Sequence, residues 1–235
     1  MKRTAILICA ALMLGILAGC SGSQNPSAAD NTTQVATVNN DVSEKGEPIS
    51  APDITVDSLM ATPAAPDTMF TYSNAAEEGT VSPDSYKGSE SVLVIPDEMG
   101  GKRVSCLTQY LFANNTNLVA VKVPDSATEL EEMVFSNASA LKIIAMGSSL
   151  KSIGKSCFLS CVNLETVVLN NGLSSIGRLA FSGCSSLKSI YIPESVTTIA
   201  ANAFFNVGEG FVIEGKAGSY AETYASENDI TFKAK

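Results

Sequence analysis

The sequence predicts a β-rich repeat solenoid with a 23-residue period, about five repeats deep, with short helical or 3-10 turns between its strands. Three observations carry this. Phe112, Phe135, Phe158, Phe181 and Phe204 recur at a constant step of 23 residues. Two aliphatic columns keep the same step: Leu107, Leu130, Ile153, Ile176 and Ile199 on one side, Leu118, Leu141, Leu164 and Leu187 on the other. Each repeat also carries a short alternating run, such as Ser189-Ile190-Tyr191-Ile192. A period of about 20 to 29 residues marks units that bury too little alone and stack into a shared core.

In chain order, residues 1–19 begin with Lys2 and Arg3, run through an apolar stretch from Ala5 to Leu17 and end in small residues before Cys20. The stretch is shorter than the roughly 20 residues of a membrane-spanning helix, so it reads as a secretory signal. Leu17-Ala18-Gly19-Cys20 resembles the lipobox of bacterial lipoproteins. That resemblance implies cleavage before Cys20 and acylation of its thiol and amine, palmitate among the chains, with lipid as the membrane anchor. Ordinary cleavage to a free secreted protein is the alternative. Residues 20–68 then read as the lipidated cysteine and a disordered tether. Seven acids between Asp30 and Asp67, against Lys45 alone, stretch the tether by self-repulsion, and its polar composition cannot offset the entropy of ordering.

Residues 69–91 read as an N-terminal β cap, in which Phe70-Thr71-Tyr72 and Gly79-Thr80-Val81 are short strands about a polar turn. The solenoid spans 92–210. Strand alternation turns Ile190 and Ile192 inward and Ser189 and Tyr191 outward; the earlier inward pairs are Val167 and Leu169, Ile144 and Met146, Val121 and Val123. Pro124, Gly147, Asn170 and Pro193 end these strands. The first repeat carries an insertion, about Asp97 to Lys102, which reads as a surface loop around Gly100 and Gly101. Residues 211–235 form a C-terminal helix-strand cap: a strand at Phe211-Val212-Ile213, then a helix opened by Ser219 and Glu222 in a capping-box arrangement. Tyr220 and Tyr224 share a helix face, and Ile230-Thr231-Phe232 is a final strand. This lid hides the last coil from edge-to-edge association.

The stretches Leu173-Ser-Ser-Ile-Gly-Arg-Leu-Ala-Phe-Ser-Gly-Cys-Ser-Ser-Leu187 and Lys188-Ser-Ile-Tyr-Ile-Pro-Glu-Ser-Val-Thr-Thr-Ile-Ala-Ala-Asn-Ala-Phe204 are similar to the BspA-type leucine-rich repeats of bacterial surface proteins. The likeness extends from about Tyr86 to Val207. It departs in the early repeats, where Asn115 and Ala138 stand in the column of Cys161 and Cys184, and Ala127 stands in the column of Val196. The resemblance implies a leucine-rich-repeat solenoid and an adhesive, non-catalytic role at the cell surface or in the periplasm, toward host matrix proteins, other surface proteins or glycans.

Composition narrows the function independently. A net charge of −9 disfavours nucleic acid, whose binding is driven by Lys and Arg releasing counterions. The chain has no histidine, which removes Ser-His-Asp and Cys-His nucleophiles and the commonest zinc ligand. Adjacent Glu131 and Glu132 diverge instead of pairing, Gly100-Gly101-Lys102 lacks the spacing of a phosphate loop, and the absence of any C-x-x-C argues against zinc. Cys161 and Cys184 share a column and read as stacked thiols, with a bridge between coils left open as the lesser alternative. No catalytic residue, metal or cofactor is therefore expected. The candidate binding residues are the outward strand positions Lys122, Ile143, Ala145, Thr166, Val168, Ser189 and Tyr191, on a monomer. Their apolar members suit a docking face, and equally suit ordinary half-exposed strand positions. A glycan-capture or accessory lipoprotein of a transport or polysaccharide system, and an envelope spacer with no ligand, are the rival readings.

Overall fold

The structure is a computed structural model and describes residues 54–235. The signal, Cys20 and the tether as far as residue 53 lie outside the described residues. Helix α1 (Val56–Ala61) and a 3-10 turn (Asp67–Met69) precede the hairpin β1 (Phe70–Asn74) and β2 (Thr80–Tyr86), which are antiparallel. Then come β3 (Val92–Val94), β4 (Glu98–Met99) and β5 (Lys102–Val104). From there two kinds of strand alternate. Two-residue strands β6 (Cys106–Leu107), β8 (Glu129–Leu130), β10 (Ser152–Ile153), β12 (Ser175–Ile176) and β14 (Thr198–Ile199) form one parallel sheet in that spatial order. Three-residue strands β7 (Ala120–Lys122), β9 (Ile143–Ala145) and β11 (Thr166–Val168) continue β3 into a second parallel sheet. Strand β13 (Ser189–Tyr191) pairs with β15 (Val212–Gly215) and β16 (Thr231–Ala234), with helix α2 (Tyr220–Glu227) between the last two.

From β6 to β14 every parallel pair joins residues 23 apart, as in Ile153↔Ile176 and Val121↔Ile144, whereas β3–β7, which spans the insertion, steps by 28 (Val92↔Ala120), so the sequence period and the sheet register are one quantity. The columns therefore become stacks. Phe112, Phe135, Phe158, Phe181 and Phe204 lie with ring centroids 5.0 to 5.3 Å apart and planes within 11° of parallel. The aromatic column continues into the caps: Tyr86 and Phe70 extend it at one end, Phe211 and Tyr224 at the other. Even the turn beneath each ring is laddered, since the amides of Phe112, Phe135, Phe158 and Phe181 each donate to a carbonyl of the next coil at 2.8 Å.

The turns have a signature that the apolar columns hide. Tyr110, Met133, Ser156, Leu179 and Asn202 all adopt positive φ, at 23-residue spacing. So do Asn114, Asn137, Ser160, Gly183 and Asn206. The second column holds Asn, Ser and Gly, residue types suited to the left-handed region; the first tolerates Tyr, Met and Leu because two sets of inter-coil hydrogen bonds fix the backbone.

Four features differ from the sequence reading. Residues 54–67 are not tether: Thr55 and Ser58 close a capping box on α1, and Leu59 is fully buried. The insertion after Pro96 is not a loop but the antiparallel hairpin β4–β5, whose turn places Gly100 and Gly101 at φ 58° and 72° and buries Met99. The predicted capping box of α2 is not made, for Glu222 accepts from the amide of Gly218, one residue before the cap, at 2.7 Å and the Ser219 hydroxyl is buried without a partner. Tyr224 packs on Phe204, whereas Tyr220 is exposed.

Candidate functional site

The register of the three-residue strands arranges their outward side chains in rows: Val92 and Val94, Ala120 and Lys122, Ile143 and Ala145, Thr166 and Val168, Ser189 and Tyr191, Val212 and Glu214, Thr231 and Lys233. The predicted binding residues do fall on this one face, but they do not share one environment. Helix α1 lies across the first three rows. Leu59, Val94, Ala120, Ile143 and Ala145 form a buried apolar cluster of their own, joined by Ile54, Val56 and Val92. Ile143 and Ala145 are thus corrected from exposed positions to buried ones, and their apolar character is explained by a partner within the chain. Lys122 is turned to Asp125, with Nζ 2.9 Å from Oδ2. Burial pushes the Asp125 carboxyl up, but hydrogen bonds from Lys122 and Ser148 outweigh it and hold the group below its ordinary value.

Beyond α1 the face opens. Val168 and Tyr191 are 39% and 42% exposed, Ser189 is exposed and Thr166 is half-buried. Next to Tyr191, Asn171, Pro193, Glu194 and Ser195 line a shallow depression of about 400 Å³. The Glu194 carboxylate accepts from Lys216 Nζ at 2.9 Å, and the Ser195 hydroxyl donates to the Leu173 carbonyl at 2.6 Å, so the floor of the depression is tied down. Here too the sheet is interrupted: β11 ends one sheet and β13 begins another. The inward side chains beside the gap are less covered than their equivalents, Val167 at 9% against 0% for Ile144 and Val121.

The opposite sheet offers acids in place of apolar groups. Gln109, Glu129, Glu131, Glu132 and Lys155 line a depression of about 410 Å³. Glu131 and Glu132 diverge as their adjacency dictates: the first accepts from the Gln109 amide at 2.9 Å, the second from Lys155 at 3.3 Å. The cysteines are buried donors. Cys161 Sγ donates to the Phe135 carbonyl at 3.0 Å and Cys184 Sγ to that of Phe158 at 3.2 Å, and all four described cysteines are free thiols, which settles the open alternative against a bridge. Burial pushes the Cys161 thiol up to about 12 and raises Cys157 and Cys184 as well, the reverse of a thiolate nucleophile. Among the described residues no group of three or more Cys, Asp or Glu could hold a metal ion, and no helix is long and apolar enough to cross a membrane.

The geometry of stacked 23-residue coils, with Leu118, Leu141, Leu164 and Leu187 buried in one column, has a match among known families. The model of the BspA type leucine rich repeat region fits residues 98–209 in six copies. Residues 98–209 are a BspA-type leucine-rich repeat region. Solved structures agree with this. A leucine-rich repeat protein of T. pallidum shares 25% identity at a TM-score of 0.62, covering 65% of this chain and 71% of its own. A leucine rich cell surface protein of Faecalibacterium prausnitzii shares 26% at 0.53, covering 67% and 46%, and a leucine-rich repeat protein of Bacteroides ovatus 27% at 0.52, covering 62% and 45%. The chain thus spans less than half the length of the last two. No curated protein matches it. Ahead of the leucine-rich repeats, what sequence reasoning missed is α1; its signal was the capping pair Thr55 and Ser58 beside Val56 and Leu59, a short apolar stretch inside an otherwise polar segment.

Proposed function

We propose that this protein is a lipid-anchored, non-catalytic binding protein of the bacterial cell envelope. Its leucine-rich repeats, held out from the membrane, engage a surface protein or glycan through the open rows of the three-residue strands. The anchor is Cys20, acylated after removal of residues 1–19, and the solenoid acts as a monomer. The observation that carries the binding role is the exposure of Val168 and Tyr191 side by side, on a face whose apolar character otherwise finds a partner in α1. Tyrosine is one of the side chains in which interface hot spots are enriched. Adhesion to host matrix proteins is the finer form of this reading and comes from the resemblance to BspA-type surface proteins; the likeness to a leucine rich cell surface protein of F. prausnitzii supports the surface location alone.

The test is a binding screen of the mature chain against immobilised matrix proteins, mucins and polysaccharides, with the Tyr191→Ala, Val168→Ser double variant alongside. The expected result is a hit that the variant loses by at least tenfold while its unfolding curve is unchanged. Retention of binding by the variant would place the ligand elsewhere. Loss of any hit would move the protein to the spacer reading. A second reading, glycan capture for a transport or polysaccharide system, is favoured by the depression beside Tyr191, where Asn171 and Glu194 could meet sugar hydroxyls. In that case soluble oligosaccharide competes with the immobilised ligand.

A further inference from the structure

We infer that the face beneath α1 is an interaction surface for a short amphipathic helix, and that α1 is its displaceable intramolecular occupant. This rests on the binding-face reading above, and extends it from two open rows to five.

The argument begins with how α1 is held. The hydrogen bonds of Thr55, Ser58, Leu59 and Thr62 close within residues 55–62. The segment's ties to the repeats come only after the helix, where the Ala65 amide donates to the Val94 carbonyl at 2.8 Å and Asp67 accepts from the Gly100 amide at 3.0 Å. What fixes α1 is therefore side-chain burial alone, chiefly Leu59 with Ile54 and Val56. Six residues are too few for a helix to persist in water unaided. Released from the sheet, α1 would unfold, and the break falls at Thr62-Pro63, where the chain is already extended.

The surface underneath is built to receive such a segment. Val94, Ala120, Ile143 and Ala145 form a cluster separate from the main core, on the opposite side of the sheet from Leu93, Val121 and Ile144. Uncovering it costs the solenoid nothing on its inner side. It is also continuous in register with Val168 on β11, so that one strip of outward positions runs from β3 to β11, part occupied and part open, with the exposed Tyr191 across the gap on β13. The occupant of the first part shows the chemistry the strip accepts: apolar residues three apart on one helical face, as Val56 and Leu59 are, with polar Asp57 and Ser58 turned to solvent. The partner is accordingly a short amphipathic helix of another protein, which competes with α1.

The experiment uses the mature chain, its Val56→Ser, Leu59→Ser double variant, and a labelled synthetic peptide of residues 53–63 as the probe. In the wild-type chain the Leu59 and Thr62 amides should exchange at least a hundredfold faster than that of Phe158, by opening of α1 alone. The double variant should keep the core amides protected and bind the peptide at least tenfold more tightly than wild type does, and adding Ile143→Glu should abolish that binding. Exchange of the α1 amides only together with the core, or collapse of core protection in the double variant, would make α1 an integral part of the fold and overturn the proposal. Intact core protection without peptide binding would overturn the helix-receiving surface. None of these readouts uses the unidentified ligand, so a failed binding screen and a failed strap are separate results.

Discussion

At the scale of single residues, the phenylalanine column shows packing set by the backbone. Aromatic pairs left free divide between offset-stacked and edge-on geometry, whereas this column holds one of the two throughout, with Phe181 and Phe204 within 1° of parallel at 5.3 Å. The reason is that each ring repeats the same rotamer on a coil that rises by one strand spacing, about 4.8 Å. A rung cannot be removed cheaply, because the rings above and below are held by their own coils and cannot close the gap. Phe181→Ala should therefore cost about 3 to 5 kcal/mol in denaturant unfolding; a loss under about 1 kcal/mol would mean that Phe181 is not a rung. Cys161 sits in the neighbouring column and makes a pH prediction. Burial raises its pKa from 9.0 to about 12 in the folded chain. The folded state then holds a proton that the unfolded state releases, so this contribution to stability is complete below pH 9 and is lost as pH rises toward 12. Cys161→Ala, for which Ala138 is the precedent one coil earlier, should flatten the decline of stability between pH 9 and 12. An unchanged slope would show that other groups carry it.

At the scale of elements, the sequence was legible wherever an element serves the repeated core, and illegible where it serves the outside. Inward pairs such as Ile144 and Met146 announce strands by alternation and by recurrence. Outward Ile143 carries the same apolar signal but no address: alternation says which way it points, not what covers it. Helix α1 was lost for a related reason, since six residues with one buried side chain, Leu59, and one half-buried, Val56, produce no periodicity above the polar background of residues 21–67. The hairpin β4–β5 was read as a loop because strands of two and three residues are too short to show alternation, although the Gly100-Gly101 pair is the turn chemistry such hairpins need. The interruption between β11 and β13 has no sequence signature at all. It does predict dynamics. The amides of Val123 and Met146 donate across the ladder at 2.9 Å, to Ala145 and Val168, whereas the equivalent Leu169 faces the gap. In native-state exchange Leu169 should be at least tenfold less protected than either. Equal protection would mean that the sheet closes in solution.

At the scale of the whole molecule, the contacts of each coil are almost entirely with the coils before and after it. Register pairs, ring stacks and even the ion pair Lys155–Glu132 join residues 23 apart. Stability in such an array is a sum of coil and neighbour terms, and the ends need their own covers. That is why the caps depart from the repeat while extending its aromatic column. It is also why the fold could be read from one column of phenylalanines, while the ligand, met by side chains that do not repeat, could not. The same logic gives a test of the array itself. Deleting Lys151–Leu173, one full period, returns Ser174 to the place of Lys151 and preserves every column and both ladders. The shortened chain should fold cooperatively, with a lower denaturant midpoint and a proportionally smaller m-value, since less surface is buried. Deleting Lys151–Gly172, one residue fewer, moves the next strand out of register and turns its inward side chains to solvent. That chain should lose the sharp transition or aggregate. Equal behaviour of the two deletions would show that the coils adapt to a one-residue slip, and that the 23-residue step is not what holds the stack together.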